Sequence, residues 1–157
     1  MNDNRYILVI ADESPEMEIA LEYACARSKK TSRKIIIATF IEPLDVLTTQ
    51  GVTEIMKNEA REEAEKILQK AASYVKEKTG EMPALAVREG ETITELKKLI
   101  DEEENINVLV LAANSDPKSK ESNIIINSLV SQEITNMRVP VMIVPGNFSK
   151  DHIALIT

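Results

Sequence analysis

The chain carries its chemistry in four polar stretches, each placed directly after a short apolar run. Asp12-Glu13-Ser14 follows the first run, Glu42 to Gln50 the second, Glu89-Gly90 the third and Ala113 to Asn123 the fourth. Carboxylates, hydroxyls and amides at the carboxyl ends of strands are suited to hold a small ligand or a metal, or to move a proton. The fourth stretch is the longest and reads Asn-Ser-Asp-Pro-Lys-Ser-Lys-Glu-Ser-Asn over residues 114–123.

Most catalytic programmes need partners that this chain lacks. No GxGxxG follows the first run and no GxxxxGK[ST] occurs anywhere, so neither a dinucleotide fingerprint nor a P-loop is present. Asp12 and Glu13 match the acidic pair of response-regulator receivers. However, Arg88-Glu89-Gly90 and Pro145-Gly146 stand where a receiver needs its phosphoacceptor Asp and its Lys. His152 is the sole histidine and has no partner pattern around it, which reads as a surface residue. Cys25, the sole cysteine, sits beside Ala24 and Ala26 in an apolar helical pattern. It reads as a buried, inert thiol, and intramolecular disulfides are excluded. The run Asp101 to Glu104 reads as a solvated helix end, because adjacent carboxylates on a helix diverge and cannot meet at a metal. No catalytic residue and no metal site are assigned.

Positioning the four stretches falls to five strands and the helices between them. The apolar runs at 6–11, 34–41, 84–88, 107–112 and 140–144 are nearly continuous in Ile, Val, Leu and Ala. That is the pattern of strands covered on both faces. Ser14 and Pro15 read as the cap and first turn of a helix over 14–29. Lys29, Lys30, Arg33 and Lys34 then complement the charge at its C-terminal end. A long amphipathic helix is predicted over 52–78, with Ile55, Ala64, Leu68, Ala71 and Val75 among its inward positions and Thr79-Gly80 as its stop. Two more are predicted over 92–103 and 123–137, the last burying Ile126, Leu129, Val130, Ile134 and Met137. With right-handed crossovers, this alternation implies an α/β fold, an open doubly wound parallel sheet of five strands with helices on both faces. Residues 1–146 read as one domain. Residues 147–157 read as a tail in which Ser149 caps a short helix packing on that domain.

Composition narrows the partners. A chain of 157 residues can bury a core without staples, and 43% hydrophobic with 29% charged residues is ordinary globular chemistry. The net charge of −7 argues against nucleic acid and anionic membranes, and 3% aromatics without Trp leave no platform for stacking bases. The first apolar run is too short for a signal peptide and no run spans a bilayer, so a cytoplasmic protein is expected.

The chain resembles the universal stress protein family over nearly its whole length. The resemblance rests on Ile7-Leu8-Val9 leading into Asp12, on Ala20 and Ala24 in the first helix, and on Val87-Arg88-Glu89-Gly90 with Ile93 beyond. It closes with Val139-Pro140-Val141-Met142-Ile143-Val144-Pro145, and the long helix rich in Glu, Ala and Lys looks like the bacterial branch. The resemblance implies strand order 3-2-1-4-5. Nucleotide-binding members carry G-x2-G-x9-G-[ST] after strand four. Counting back from Pro140 without gaps puts those positions on Asn114, Pro117, Asn127 and Ser128, so only the hydroxyl survives. Asn114 and Asn127 tolerate a left-handed backbone, but their side chains fill space that a phosphate needs. Pro117 has neither positive φ nor an N–H to give, and Asp116 adds negative charge. Lys118, Ser119, Lys120, Ser122 and Ser128 keep some capacity to hold an anion. Asp12 matches the strand-one acid that lies near adenosine and metal in nucleotide-bound members. An Asx-type turn at the head of the first helix is the alternative role for it.

The expectation is a non-catalytic stress-response or regulatory module, a homodimer, with ATP binding weakened or lost and no cofactor. The alternative is a switch binding ATP with Mg, slowly hydrolysing, in which Asp12, Asn114, Lys118, Asn127 and Ser128 hold the nucleotide. The resemblance places strand five at a two-fold interface. Val141, Met142, Ile143 and Val144 make that edge wholly apolar, so either a second copy or the tail 147–157 must cover it. A further protein partner fits the acidic balance better than nucleic acid or membrane.

Overall fold

In the computed structural model, which describes residues 4–43, 50–116 and 123–157, the apolar runs pair as parallel strands. These are β1 (Tyr6–Ile10), β2 (Lys34–Ile41), β3 (Ala84–Glu89), β4 (Ile106–Ala113) and β5 (Val141–Pro145). They lie in the order β3-β2-β1-β4-β5, as expected. Between and after them run α1 (Met17–Thr31), α2 (Gln50–Thr79), α3 (Thr92–Glu102), α4 (Ile124–Ser128) and α5 (Lys150–Ile156).

The handedness of the crossovers turns this order into layers. Stepping outward from β1 to β2 to β3 puts α1 and α2 on one face. Reversing to β4 and then β5 sends α3 and α4 to the other. Period-two side chains divide accordingly. Ile7, Val9, Ile35, Ile37 and Val110 meet Leu21, Ala24, Leu68 and Ala71 of α1 and α2. Leu8, Ile10, Ile36, Leu109 and Leu111 meet Leu96, Leu99 and Ile100 of α3. Leu8 and Val9 are both fully buried, so β1 is closed to solvent on both faces. Among the described residues Thr39 is the buried polar one, and its hydroxyl donates to the Ala11 carbonyl at 2.9 Å.

Three local readings are corrected. α1 starts at Met17 rather than at 14, and Glu16 in front of it makes no side-chain cap, because Ser14 is turned back onto Asp12. The predicted helix 123–137 stays α-helical only to Ser128. A π-helical turn (Leu129–Glu133) and a 3-10 turn (Ile134–Asn136) follow. The wider turn shifts the inward register, so Leu129 is buried while Val130 and Ile134 are exposed. Ile55 is likewise exposed. α2 has 30 residues, about 45 Å at 1.5 Å per residue, and overreaches a sheet whose strands span about 27 Å at most. Its packed positions, Ala64, Leu68, Ala71, Ala72 and Val75, lie from its midpoint onward.

The helix ends otherwise follow the residues. Gly80, at φ +79°, closes α2 by donating to the Lys76 carbonyl at 2.8 Å. Glu91 caps α3 by accepting from the Ile93 and Thr94 amides, and its hydrogen bonds with Thr94 hold its carboxyl below the usual range. Ser149 caps α5, which buries Ile153 and packs on α1 rather than over the β5 edge. Arg138, just before β5, closes the C-terminus of α3. Its Nε reaches the Ile100 carbonyl at 3.1 Å, and Nη2 reaches those of Glu103 and Ile106 at 3.0 and 3.1 Å. A helix end left with unpaired carbonyls attracts such a cation. Arg138→Ala is therefore expected to lower unfolding free energy by about 2–3 kcal/mol in urea denaturation, with Arg138→Lys recovering only part. An unchanged midpoint would show that the clasp contributes nothing.

Candidate functional site

The reversal of strand order leaves a crevice where β1 and β4 diverge at their carboxyl ends. A cavity of about 400 Å³ lies there. Its floor is apolar, formed by Ile10, Ala20, Leu111, Ala112, Ile125 and Ile126. Its rim carries Asp12, Ser14, Glu16, Glu42, Asn114 and Asn123.

Each rim group is positioned by a short-range contact. Asp12 Oδ1 accepts from the Ser14 amide at 2.9 Å and from its hydroxyl, an Asx turn that aims the chain into α1. Glu16 Oε2 accepts from Asn114 Nδ2 at 3.3 Å, linking α1 to the end of β4. Glu42, at the exit of β2, accepts through Oε1 from the Thr92 hydroxyl at 2.9 Å. Gly146 follows β5 and donates to the Ala113 carbonyl at 2.7 Å. A Cβ there would lie 2.3 Å from that oxygen and 2.9 Å from Glu16 Cβ, so only glycine lets these elements close on one another.

The loop that leaves β4 is clasped at its base. The Asn114 amide donates to Asn123 Oδ1 at 2.7 Å, and Asn123 Nδ2 donates back to the Asn114 carbonyl at 3.1 Å. Asn114 Oδ1 in turn accepts from the Asp116 amide at 2.7 Å. Asn123 sits at φ +71°, where asparagine is among the few side-chain-bearing residues that are at ease. Its carbonyl opens α4 by accepting from the Asn127 amide at 2.8 Å.

Of the expected site residues, Asp12 and Asn114 share the cavity rim. Asn127 and Ser128 lie on α4 outside it, and Lys118 lies outside the described residues, as do Pro117, Ser119, Lys120 and Ser122. The left-handed backbone that Asn114 and Asn127 would tolerate is found at Asn123. Glu16, Glu42 and Asn123 were not singled out from the sequence. The signal for Asn123 was an asparagine at each end of one polar stretch, with an apolar helix beginning directly after the second.

The electrostatics are one-sided. Among the described lining residues the rim presents three carboxylates and no cation. Among the described residues no three His, Cys, Asp or Glu are grouped so as to share a metal ion. The remaining reactive side chains lie elsewhere. Burial, reinforced by the charge of Glu22, pushes the Cys25 thiol up to about 12, so it is protonated and inert at neutral pH. Burial and a hydrogen bond to Glu22 also raise the Tyr74 phenol. His152 is exposed, with its ring edge-on to Phe148 at 4.6 Å. A second cavity, of about 520 Å³, lies between α1 and α2 and shares Asp12, Ser14 and Met17 with the first. At its mouth the neighbouring Glu63 raises the Glu13 carboxyl.

Against known proteins, the sequence pattern of the Universal stress protein family matches residues 4–145. Among solved structures the chain is similar to universal stress protein UspA from Lactobacillus plantarum, at 12% identity and TM-score 0.72, covering 89% of this chain and 97% of that one. It is also similar to a universal stress protein in complex with cAMP, at 19% identity and TM-score 0.62, covering 92% and 99%. A third is the universal stress protein from Archaeoglobus fulgidus in complex with dAMP, at 15% identity and TM-score 0.59, covering 91% and 98%. A comparison with curated proteins finds no match. At these identities the structural likeness establishes the fold.

The clasp carries its own prediction. Asn123→Ala removes two hydrogen bonds and leaves a β-carbon at positive φ without a side-chain partner, so a loss of about 2 kcal/mol is expected in denaturant melts. Asn123→Gly removes the same bonds but relieves the backbone, and should lose less. Equal losses in the two variants would contradict the role given to the left-handed backbone.

Proposed function

The chain belongs to the universal stress protein family, and from that premise we propose a non-catalytic regulatory module of the stress response whose hold on ATP is weakened or lost. The observation that carries this reading is the occupancy of described amide donors where the loop leaves β4. A phosphate is gripped by backbone N–H groups left free at a loop or helix start. Here the amides of Asn114 and Asp116 are already given to Asn123 Oδ1 and Asn114 Oδ1. An incoming triphosphate must break those bonds while approaching Asp12, Glu16 and Glu42. Neither catalytic base nor nucleophile is assigned on the rim, so no enzymatic step is part of the reading.

The second reading is an adenine-nucleotide switch, with Mg and slow hydrolysis. Asp12 and Asn114 opening onto one apolar-floored cavity favour it, as do the similar structures in complex with cAMP and dAMP. It requires the clasp to open.

The working unit is a homodimer built on β5, and a further protein partner is compatible with the acidic surface. Met142 and Ile143 are 42% and 37% exposed on this edge strand, while Val144 turns inward. The tail helix is engaged with α1, which leaves the edge to a second copy.

Thermal melts separate the two nucleotide readings. A ligand at about 100 times its Kd stabilises by roughly 2.7 kcal/mol. Millimolar Mg-ATP is expected to produce much less, and a full shift would establish the switch instead. For the dimer, light scattering should give twice the 17.5 kDa chain mass, with Ile143→Lys reducing it to the monomer. A wild-type particle of one chain at high concentration would refute the interface.

A further inference from the structure

We propose that the groove between α1 and α2 is a binding site for a free aliphatic amino acid, held as its zwitterion. The groove is the cavity of about 520 Å³, ample for one such molecule. Its floor is aliphatic, built from Leu21 of α1 and from Ile67 and Ala71 of α2, and Leu21 and Ala71 are fully buried. These floor residues do not line the crevice between β1 and β4, and neither do Lys66 and Lys70 at the rim of the groove.

The polar groups around this floor divide into those already engaged and those left over. Asp12 is turned into its own Asx turn, Glu18 Oε1 pairs with Lys150 Nζ at 3.3 Å, and the Tyr74 hydroxyl donates to Glu22. Left over are Glu13, Glu63, Lys66 and Lys70, two carboxylates and two ammonium groups. Glu63 stands three residues before Lys66 on one face of α2, the spacing of a helical ion pair. No such pair is present. Glu63 is instead close enough to Glu13 to raise its carboxyl, and neither Lys66 nor Lys70 has a partner among the described residues. Like charges thus meet at one end of the groove while opposite charges stay apart. The acid pair repels a simple anion and the lysines repel a simple cation. A zwitterion satisfies both. Its ammonium group donates to Glu13 and Glu63, its carboxylate accepts from Lys66 and Lys70, and its side chain covers the floor. Three residues of helix rise about 4.5 Å, which flexible Glu and Lys side chains bridge easily to one α-amino-acid head group.

Titration calorimetry of the full chain at neutral pH tests this with L-leucine and three analogues. Leucinamide lacks the carboxylate, N-acetylleucine lacks the ammonium group and glycine lacks the side chain. Leucine should bind at least tenfold more tightly than each, since every analogue forfeits a charged contact or the apolar seat. The double variant Lys66→Gln/Lys70→Gln should weaken leucine at least tenfold and bring leucinamide within threefold of it. Glu63→Gln should likewise weaken leucine and bring N-acetylleucine within threefold of it. The three altered side chains are exposed, so the fold should be retained in both variants. No leucine binding at millimolar concentration would overturn the inference, as would any analogue binding as tightly as leucine. Leucine affinity unchanged in either variant would place the ligand elsewhere and also overturn it.

Discussion

Two neighbouring parallel strands whose onward crossovers run in opposite directions cannot both be roofed at their carboxyl ends. β1 and β4 are that pair, and the rest of the molecule is arranged around the consequence. Because every crossover has one hand, the reversal beside β1 separates α1 and α2 from α3 and α4 and buries the central strand on both faces. It also opens the crevice into which the exits of β1, β2 and β4 deliver Asp12, Glu42 and Asn114. The fold therefore supplies a cavity before any residue is chosen to fill it.

What this sequence does with the cavity is to satisfy its polar groups internally. A glycine-lined loop leaves backbone donors free for an anion. Here the Asn114 amide is given to Asn123 Oδ1, and the Asn123 side-chain amide donates back to the Asn114 carbonyl, which ties the loop base together. Glu16 is tied into the same arrangement through Asn114, and Gly146 allows β5 to close against both. The carboxylates keep their positions through neutral donors, so negative charge accumulates at the rim without a counter-ion among the described residues. The outcome is a crevice whose described rim is acidic.

The strands and their layers were legible because burial on both faces leaves a near-continuous aliphatic signature, as in Ile35-Ile36-Ile37-Ala38. Capping at Ser149 and the stop at Gly80 were equally readable, since each depends on local chemistry alone. The misreadings share a different origin. Val130 and Ile134 sit at helical spacing, yet a π turn rotates them outward, and nothing in a 3.6 period announces such a turn. Ser14 had the chemistry of a cap, but Asp12 competed for it two residues earlier. The left-handed residue was legible as a type, asparagine, but not as a position, because the choice of Asn123 depends on Asn114 nine residues away. Glu16 and Glu42 become site residues only when α1 and α3 are packed, and that is tertiary information.

The central claim is that the protein itself occupies amide donors at the foot of the β4 loop, those of Asn114 and Asp116. Hydrogen exchange of the Asn114 amide and the Asn123 side-chain amide, followed by NMR with and without saturating Mg-ATP, addresses it directly. Both protons should be protected in the free protein and stay protected at the same rates when the nucleotide is added. Fast exchange in the free protein, or a clasp that opens when Mg-ATP is added, would contradict the account.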